Sequence, residues 1–189
     1  MRKNFNIVIS GTGGQGLITL TIIIAEAALI EGYDVKTSEL HGLSQRGGSV
    51  QTHIKFGDKV YSPLVSFGKA DLIIGLEVSE TLRNINFADS ETNILANEYQ
   101  LVYPGSLRAE EIVKRLKFLF KRRLHLIPAS EICEKELGKE VVSGIYLLSY
   151  AAYKKLIPIK PSSFLEAILK IVPEKYLELN KQAFELAKK

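Results

Sequence analysis

The stretch Ser10-Gly11-Thr12-Gly13-Gly14-Gln15-Gly16 decides the fold, because it joins an apolar run to a long apolar segment. The run at residues 5–10 predicts a buried strand. The segment at residues 14–31 is too long for a strand and predicts a helix that Gly32 ends. A glycine-rich turn from a strand into a helix is typical of an α/β protein with a parallel sheet.

The glycines of this turn fit the pattern G-x-G-x-x-G. Glycine permits a tight turn and lets a ligand approach the backbone. The free amides at the start of a helix favour an anion, usually phosphate. The predicted ligand contacts are therefore Gly11, Gly13, Gly14, Gln15 and Gly16. The alternative is a turn that binds nothing.

Further strands are predicted at residues 33–38, 70–76, 92–96 and 124–128, with helices between them. Four more helices follow, at 131–137, 141–156, 162–172 and 173–187. Strands that alternate with helices predict right-handed crossovers and parallel pairing. The predicted fold is α/β, with a Rossmann-like, open, mostly parallel sheet flanked by helices and a helical C-terminal region.

Residues 49–56 and 59–62 interrupt this alternation and predict an inserted β-hairpin. Val50, Thr52, Ile54 and Phe56 alternate with polar residues, a half-buried pattern that predicts an exposed His53. Gly57-Asp58 suits a tight turn. We expect the hairpin at an edge or on top of the sheet.

Composition restricts the possible functions. The chain has 189 residues, 46% of them hydrophobic and 24% charged, which predicts one globular domain over residues 1–189. The net charge of +4 is too small to indicate nucleic-acid binding. The only cysteine, Cys133, excludes an intrachain disulfide and a four-cysteine iron–sulfur cluster. Three distant histidines do not indicate a metal site.

The beginning of the chain also bears on location. No signal peptide is visible, because the first predicted strand begins almost at once. The apolar segment at residues 17–30 is shorter than the roughly 20 residues that a membrane-spanning helix needs. We expect a cytoplasmic protein with no membrane contact.

A second glycine-bearing motif follows the strand at 33–38. It reads Glu39-Leu40-His41-Gly42-Leu43-Ser44-Gln45-Arg46-Gly47-Gly48. A dinucleotide-binding unit carries an acid near this point to hold a ribose hydroxyl, and Glu39 fits that spacing better than Asp34. Arg46 is a fixed cation that can bind phosphate or carboxylate in a bidentate manner. The candidate contacts here are Glu39, Ser44, Gln45, Arg46, Gly47 and Gly48, with an orienting hydrogen bond as the role of His41.

Polar residues also follow the strands at 70–76 and 92–96, namely Glu77 and the pair Asn97-Glu98. The carboxyl ends of parallel strands meet at one sheet edge, where ligands bind. The two glycine motifs and these residues should therefore lie together. The alternative for the second motif is a loop that contacts only water or a partner subunit.

Residues 114–123 form the densest basic run. Ile112, Val113, Leu116, Leu119 and Phe120 form an apolar stripe on the same predicted helix. We interpret the basic residues as a solvated face, with an acidic partner surface as the alternative.

Together, Gly11 to Gly16, the motif from Glu39 through Ser49-Val50, and Ala70-Asp71 leading to Leu76-Glu77 resemble a known family. They are similar to the gamma-type subunit of 2-oxoacid:ferredoxin oxidoreductases over essentially the whole chain. Ser62-Pro63-Leu64 and the run Glu80-Thr81-Leu82-Arg83 resemble most the beta subunit of indolepyruvate:ferredoxin oxidoreductase. One departure is in the helix at 141–156, where Gly144 and Ser149 replace an Asn and a Gly that the family often has.

The resemblance implies a role inside a complex. The complex would oxidatively decarboxylate an aryl pyruvate such as indolepyruvate, with coenzyme A, to an acyl-CoA and CO2. Thiamine diphosphate, Mg²⁺ and iron–sulfur clusters would lie on a larger partner subunit that passes electrons to ferredoxin. This chain would hold none of those groups alone, would close over the partner's active site, and would contact coenzyme A or the subunit interface through its glycine motifs.

Two other hypotheses stay open at this point. The first is a stand-alone dinucleotide-binding reductase or nucleotide-sensing module, which rests on Gly11–Gly16 and Glu39. The second is a structural subunit whose glycine loop is empty.

Overall fold

The computed structural model describes residues 4–42 and 47–188. Ser44, Gln45 and Arg46 therefore lie outside the described residues. Within those ranges the strands are β1 (Phe5–Thr12), β2 (Asp34–His41), β3 (Ser49–Gly57), β4 (Leu72–Gly75), β5 (Asn93–Asn97) and β6 (Leu124–Ile127). The α-helices are α1 (Leu17–Ile30), α2 (Val78–Arg83), α3 (Ala109–Phe120), α4 (Ala129–Leu137), α5 (Ser143–Tyr153), α6 (Pro161–Ile171) and α7 (Glu174–Leu186).

The described strands form one six-stranded sheet in the order β2-β3-β1-β4-β5-β6. β1, β4, β5 and β6 are parallel neighbours. β3 runs antiparallel to both β1 and β2, so β2 has the same direction as β1. The predicted α/β fold with an open, mostly parallel sheet is confirmed.

The predicted hairpin of residues 49–56 and 59–62 is wrong, both in which strand pairs with residues 49–56 and in where they lie in the sheet. Residues 59–62 form no strand, and β3 pairs instead with β2, across the loop that contains the second glycine motif. β3 also pairs with β1, so it lies inside the sheet and not at its edge. His53 is 2% exposed for that reason, because the segment around Val65 covers its face of the sheet. The alternating pattern does not identify which strand is the neighbour, and an inner strand buries polar residues too.

The helices form a layer on each face of the sheet. On one face, α1, α4, α5, α6 and α7 enclose the main core together with Ile7, Ile9 and Ile54. On the other face, Val8, Ile73 and Ile94 are covered by the segment around Val65 and Phe87. Beside that segment, α2 and α3 pack against each other. No helix of the described part of the chain is long and apolar enough to cross a membrane.

Helix α1 is positioned by the sequence signals at its two ends. It ends at Ile30, and Gly32 adopts a left-handed conformation with φ of 80°. Its β-branched residues are accommodated by packing, since Ile23 and Ile24 are fully buried. The Thr21 hydroxyl bonds the Leu17 carbonyl at 2.9 Å and the Thr52 hydroxyl of β3 at 2.8 Å. The start of α1 is thereby fixed to the sheet beside the glycine turn.

Candidate functional site

The candidate site lies at the carboxyl ends of β1 and β4, which are parallel neighbours. The chain leaves β1 into α1, which covers one face of the sheet, and leaves β4 into α2, which covers the other. Ligands of open α/β sheets bind at such a point, where neighbouring connections diverge.

The glycine turn and the loop between β2 and β3 are bonded to each other. The Gly13 amide donates to the Gly48 carbonyl at 2.9 Å, and the Gly47 amide donates to the Gly13 carbonyl at 3.3 Å. The end of the second glycine motif, Gly47-Gly48, is thus joined directly to the glycine turn.

The inside of the glycine turn is filled by Gln15. Its Oε1 accepts from the Thr12 amide at 2.8 Å, and a β-carbon on Gly11 would lie 2.7 Å from that same oxygen. The Gln15 amide in turn donates to the Thr12 carbonyl at 3.2 Å. Gln15 therefore shapes the turn from within.

The amides that remain for an anion are those at the start of α1. Gly14 and Gly16 have φ angles of 105° and 78°, and Gly16 is the N-cap residue of α1. The first amides of a helix have no intrahelical acceptor, and the helix dipole adds positive charge there. The first turn of α1 carries no acidic residue that would compete with a bound anion.

Glu77 lies two residues after the end of β4 and is 1% exposed. Its carboxylate begins α2, accepting from the amides of Ser79 at 3.2 Å and of Glu80. Burial raises the pKa of Glu77, the two amide bonds oppose that rise, and the charge of Glu80 adds to it. Glu77 thus fixes the geometry of α2 at the site.

A polar cluster connects α2 to the start of β3 and to the loop that contains Tyr103. Glu80 accepts a hydrogen bond from the Ser49 hydroxyl and forms a 3.1 Å ion pair with Arg83. Arg83 also bonds the Tyr103 hydroxyl. Together with Thr12, Gly47, Glu77 and Leu101, these side chains line a cavity of about 210 Å³. The only sequence signal for it is the Glu77-Ser79-Glu80 spacing, which resembles a capping box.

A second cavity, of about 430 Å³, lies on the α1 side of the glycine turn. Gln15 and Gly16 line it together with Gly144 from the start of α5 and Asn180 from α7. Its other walls are mainly apolar, including Leu20, Ile145 and Val172. Gly144, one of the two departures from the family pattern, therefore lies at the site and opens space there.

Glu39 and His41 lie farther from the glycine turn than a dinucleotide-binding unit requires. Glu39 is opposite Thr52 of β3, and Thr52 is opposite Ile9 of β1. With one strand between, β2 lies about 10 Å from β1. Both side chains are exposed, and His41 Nδ1 is 3.3 Å from the neighbouring Gly42 carbonyl oxygen.

Asn97 is a positioning residue of the sheet edge. It is 1% exposed, and its side chain donates to the Leu76 carbonyl at 3.2 Å and to the Ser130 hydroxyl at 2.8 Å. These bonds connect β5 to the end of β4 and to α4. Of the predicted pair, only Glu98 is open to solvent.

Cys133 is fully buried in α4, and burial raises the pKa of its thiol to about 11. A thiol with that pKa is not a nucleophile at neutral pH. Among residues 4–42 and 47–188, no three or more His, Cys, Asp or Glu side chains are grouped to hold a metal ion.

Comparison with known proteins agrees with this architecture. The family model described as pyruvate ferredoxin/flavodoxin oxidoreductase matches residues 6–189. The indolepyruvate oxidoreductase subunit IorB of Pyrococcus horikoshii is 33% identical over 99% of this chain and 96% of its own length.

Two solved structures share the fold. Pyruvate oxidoreductase subunit PORC from Thermotoga maritima has a TM-score of 0.73 at 20% identity, covering 98% of this chain and 95% of that one. The 2-oxoglutarate:ferredoxin oxidoreductase of Magnetococcus marinus also has a TM-score of 0.73 at 20% identity, covering all of this chain and 31% of that one. The resemblance inferred from the sequence is confirmed: the chain belongs to the pyruvate ferredoxin/flavodoxin oxidoreductase family, as a gamma-type subunit of the 2-oxoacid:ferredoxin oxidoreductases.

Proposed function

We propose that this chain is the non-cluster subunit of an indolepyruvate:ferredoxin oxidoreductase. The observation that carries the proposal is its full-length similarity to indolepyruvate oxidoreductase subunits from several archaea, at 30–35% identity. The single cysteine supports it, because the chain cannot bind a four-cysteine cluster and must rely on another subunit for electron transfer. Residues 1–189 then act as one gamma-type domain.

In the proposed complex, an aryl pyruvate and coenzyme A react to form an acyl-CoA and CO2. The bond to the carboxylate carbon breaks and CO2 leaves. The coenzyme A thiol loses its proton as its sulfur forms the thioester bond, and the two electrons released pass through the larger subunit to ferredoxin, the oxidant. Thiamine diphosphate with Mg²⁺ supplies carbanion stabilisation on that larger subunit. This chain binds and orients coenzyme A and encloses the active site of the larger subunit.

The start of α1 fits an anionic group of coenzyme A. The amides of Gly14, Gly16 and Leu17 are the candidates to bind a phosphate, since the Thr12, Gly13 and Gln15 amides already have acceptors. The cavity of about 430 Å³ beside Gly16 gives room for an attached organic group. A relative's structure, that of the Magnetococcus enzyme, contains coenzyme A, which makes this the first ligand to test.

The rival function, a stand-alone dinucleotide-binding protein, lacks support in the geometry. β3 separates Glu39 from the glycine turn, so this acid is not placed to hold the ribose of a nucleotide bound there. Calorimetry on the isolated chain distinguishes the two functions. Tight binding of NADH with no response to coenzyme A would favour the rival.

A purely structural role with an empty glycine loop is tested by kinetics of the assembled complex. Replacing Gly13 by a bulky residue adds a side chain at the point where the glycine turn is bonded to Gly47 and Gly48. A raised KM for coenzyme A would support a ligand-binding loop, whereas unchanged kinetics would support an empty one.

The proposed function itself is tested by co-purification. The chain should be isolated from its native source together with a larger subunit, and that complex should reduce ferredoxin when given indolepyruvate and coenzyme A. The isolated chain should show no such activity. Oxidation of a 2-oxoacid by the chain alone would refute the proposal.

A further inference from the structure

Helix α3 exposes an apolar and cationic surface that the proposed function does not use. We call it the α3 surface and define it by Lys114, Arg115, Phe118 and Leu119 of α3. Together with Leu82 and Ile85 from the α2 region, these residues line a groove of about 650 Å³.

The apolar part of the α3 surface lies outside the buried core. Ile112 and Leu116 pack α3 against α2 and are buried. Phe118 and Leu119, by contrast, are 78% and 51% exposed. Of the apolar stripe predicted from the sequence, Ile112, Leu116 and Phe120 contact the core beside α2, whereas Leu119 lies at the surface.

The charged part is cationic and unpaired. Among the described residues, Lys114 and Arg115 form no ion pair, and neither do the neighbouring Lys117, Lys121 and Arg122. Glu111, the acid that lines the groove, is already paired with Arg108 at 3.1 Å. Aromatic residues and arginine are enriched at protein interfaces, which fits the exposed Phe118 ring beside Arg115.

We propose that the α3 surface binds an acidic patch on the larger subunit of the complex, with Lys114 and Arg115 opposite its carboxylates and with Phe118 and Leu119 packed on apolar side chains beside them. Charge complementarity selects the partner: the free cations of α3 require acidic groups opposite them. A nucleic-acid backbone would satisfy the cations but offers little for Phe118 and Leu119. The inference rests on the proposed function, because it takes the larger subunit as the occupant.

The test uses the complex formed by co-expression of this chain with the larger subunit that co-purifies from the native source. One variant, Phe118→Ala, removes the exposed ring. A second, Lys114→Glu with Arg115→Glu, reverses two charges. The control, Lys135→Glu with Lys175→Glu, makes the same change of charge on exposed lysines of α4 and α7, across the sheet from α3.

We expect both α3 variants to raise the dissociation constant of the two subunits at least tenfold, and the charge reversal to remove most of the salt dependence. The control should assemble as the unaltered chain does. If the α3 variants assemble as well as the control, the α3 surface is not the binding site for the larger subunit, while the proposed function stays intact. Binding of a nucleic-acid duplex that depends on Lys114 and Arg115 would also overturn it. Failure of the unaltered chain to assemble would refute the proposed function and, with it, the assigned occupant.

Discussion

The Gly13 amide donates a 2.9 Å hydrogen bond to the carbonyl of Gly48, which lies 35 residues later in the chain. This bond connects the turn after β1 to the loop between β2 and β3. The position of one glycine motif therefore depends on the other. A substitution in either loop should change the backbone conformation at the start of α1. The predictions below test this arrangement and the groups that support it.

Replacing Gly14 by Ala should distort the glycine turn. Gly14 has φ of 105° with open space around it, so the cost is backbone strain of about 1–2 kcal/mol and not a collision. Gly32→Ala is the control, because Gly32 has φ of 80°, equally open space, and lies at the other end of α1. Both variants should lose similar unfolding free energy in urea, but only Gly14→Ala should raise the KM for coenzyme A. Equal KM values would show that the turn takes no part in binding.

Replacing Gly75 by Ala should destabilise the protein strongly. A β-carbon there would lie 1.7 Å from Thr81 Oγ1, and Thr81 is fixed by its bond to the Glu77 carbonyl. Overpacking of this kind costs about 1–3 kcal/mol. Gly144→Ala is the control, since its added carbon meets Leu20 and Leu76 at an ordinary 3.6 Å. Urea unfolding should show a clear loss for Gly75→Ala and none for Gly144→Ala, and equal stabilities would contradict the packing of α2 on β4.

Glu77→Gln should change how stability depends on pH. Burial raises the folded-state pKa of Glu77 above its ordinary value of 4.5, so the folded protein holds this proton more tightly than the unfolded chain. The stabilisation that comes from this proton is therefore present below pH 4.5, and it is lost as the pH rises through the folded-state pKa of Glu77. Glutamine keeps an acceptor for the α2 amides but does not titrate. As the pH rises, the unfolding free energy of the variant should increase relative to that of the unaltered protein. A difference between the two that does not change with pH would contradict this.

His53 should produce the opposite pH dependence. Burial lowers its pKa below 6.5, and its Nδ1 accepts from the Val65 amide at 3.0 Å, so the folded state requires the neutral ring. The contribution is present above pH 6.5 and is lost as the pH falls through the folded-state pKa. The difference in unfolding free energy between the unaltered protein and His53→Gln should therefore shrink below pH 6.5. A difference that stays constant from pH 8 to pH 5 would show that the folded state does not hold His53 neutral.

The sequence predicts most of the fold because its signals are local. The glycine turn, the apolar run of β4 and the left-handed Gly32 each depend on a few neighbouring residues. The position of β3 could not be predicted in this way. Its alternating pattern fits an edge hairpin as well as an inner strand, and only the pairing with β1 and β2 decides between them.

The candidate site was predictable in its location but not in its internal bonds. Strand ends place Glu77 and the glycine turn at one edge, as the structure shows. The contacts of Gln15 with Thr12, and of Glu80 with Ser49 and Arg83, depend on side-chain directions across distant loops. No spacing in the chain encodes those directions.

The most direct test of the proposed function is ferredoxin reduction by the larger subunit, measured with indolepyruvate and coenzyme A in the presence and absence of this chain. We expect reduction only when both subunits are present, a rate that saturates at one copy of this chain per larger subunit, and none from this chain alone. Full activity of the larger subunit without this chain, or 2-oxoacid oxidation by this chain by itself, would contradict its role as a gamma-type subunit that completes the active site.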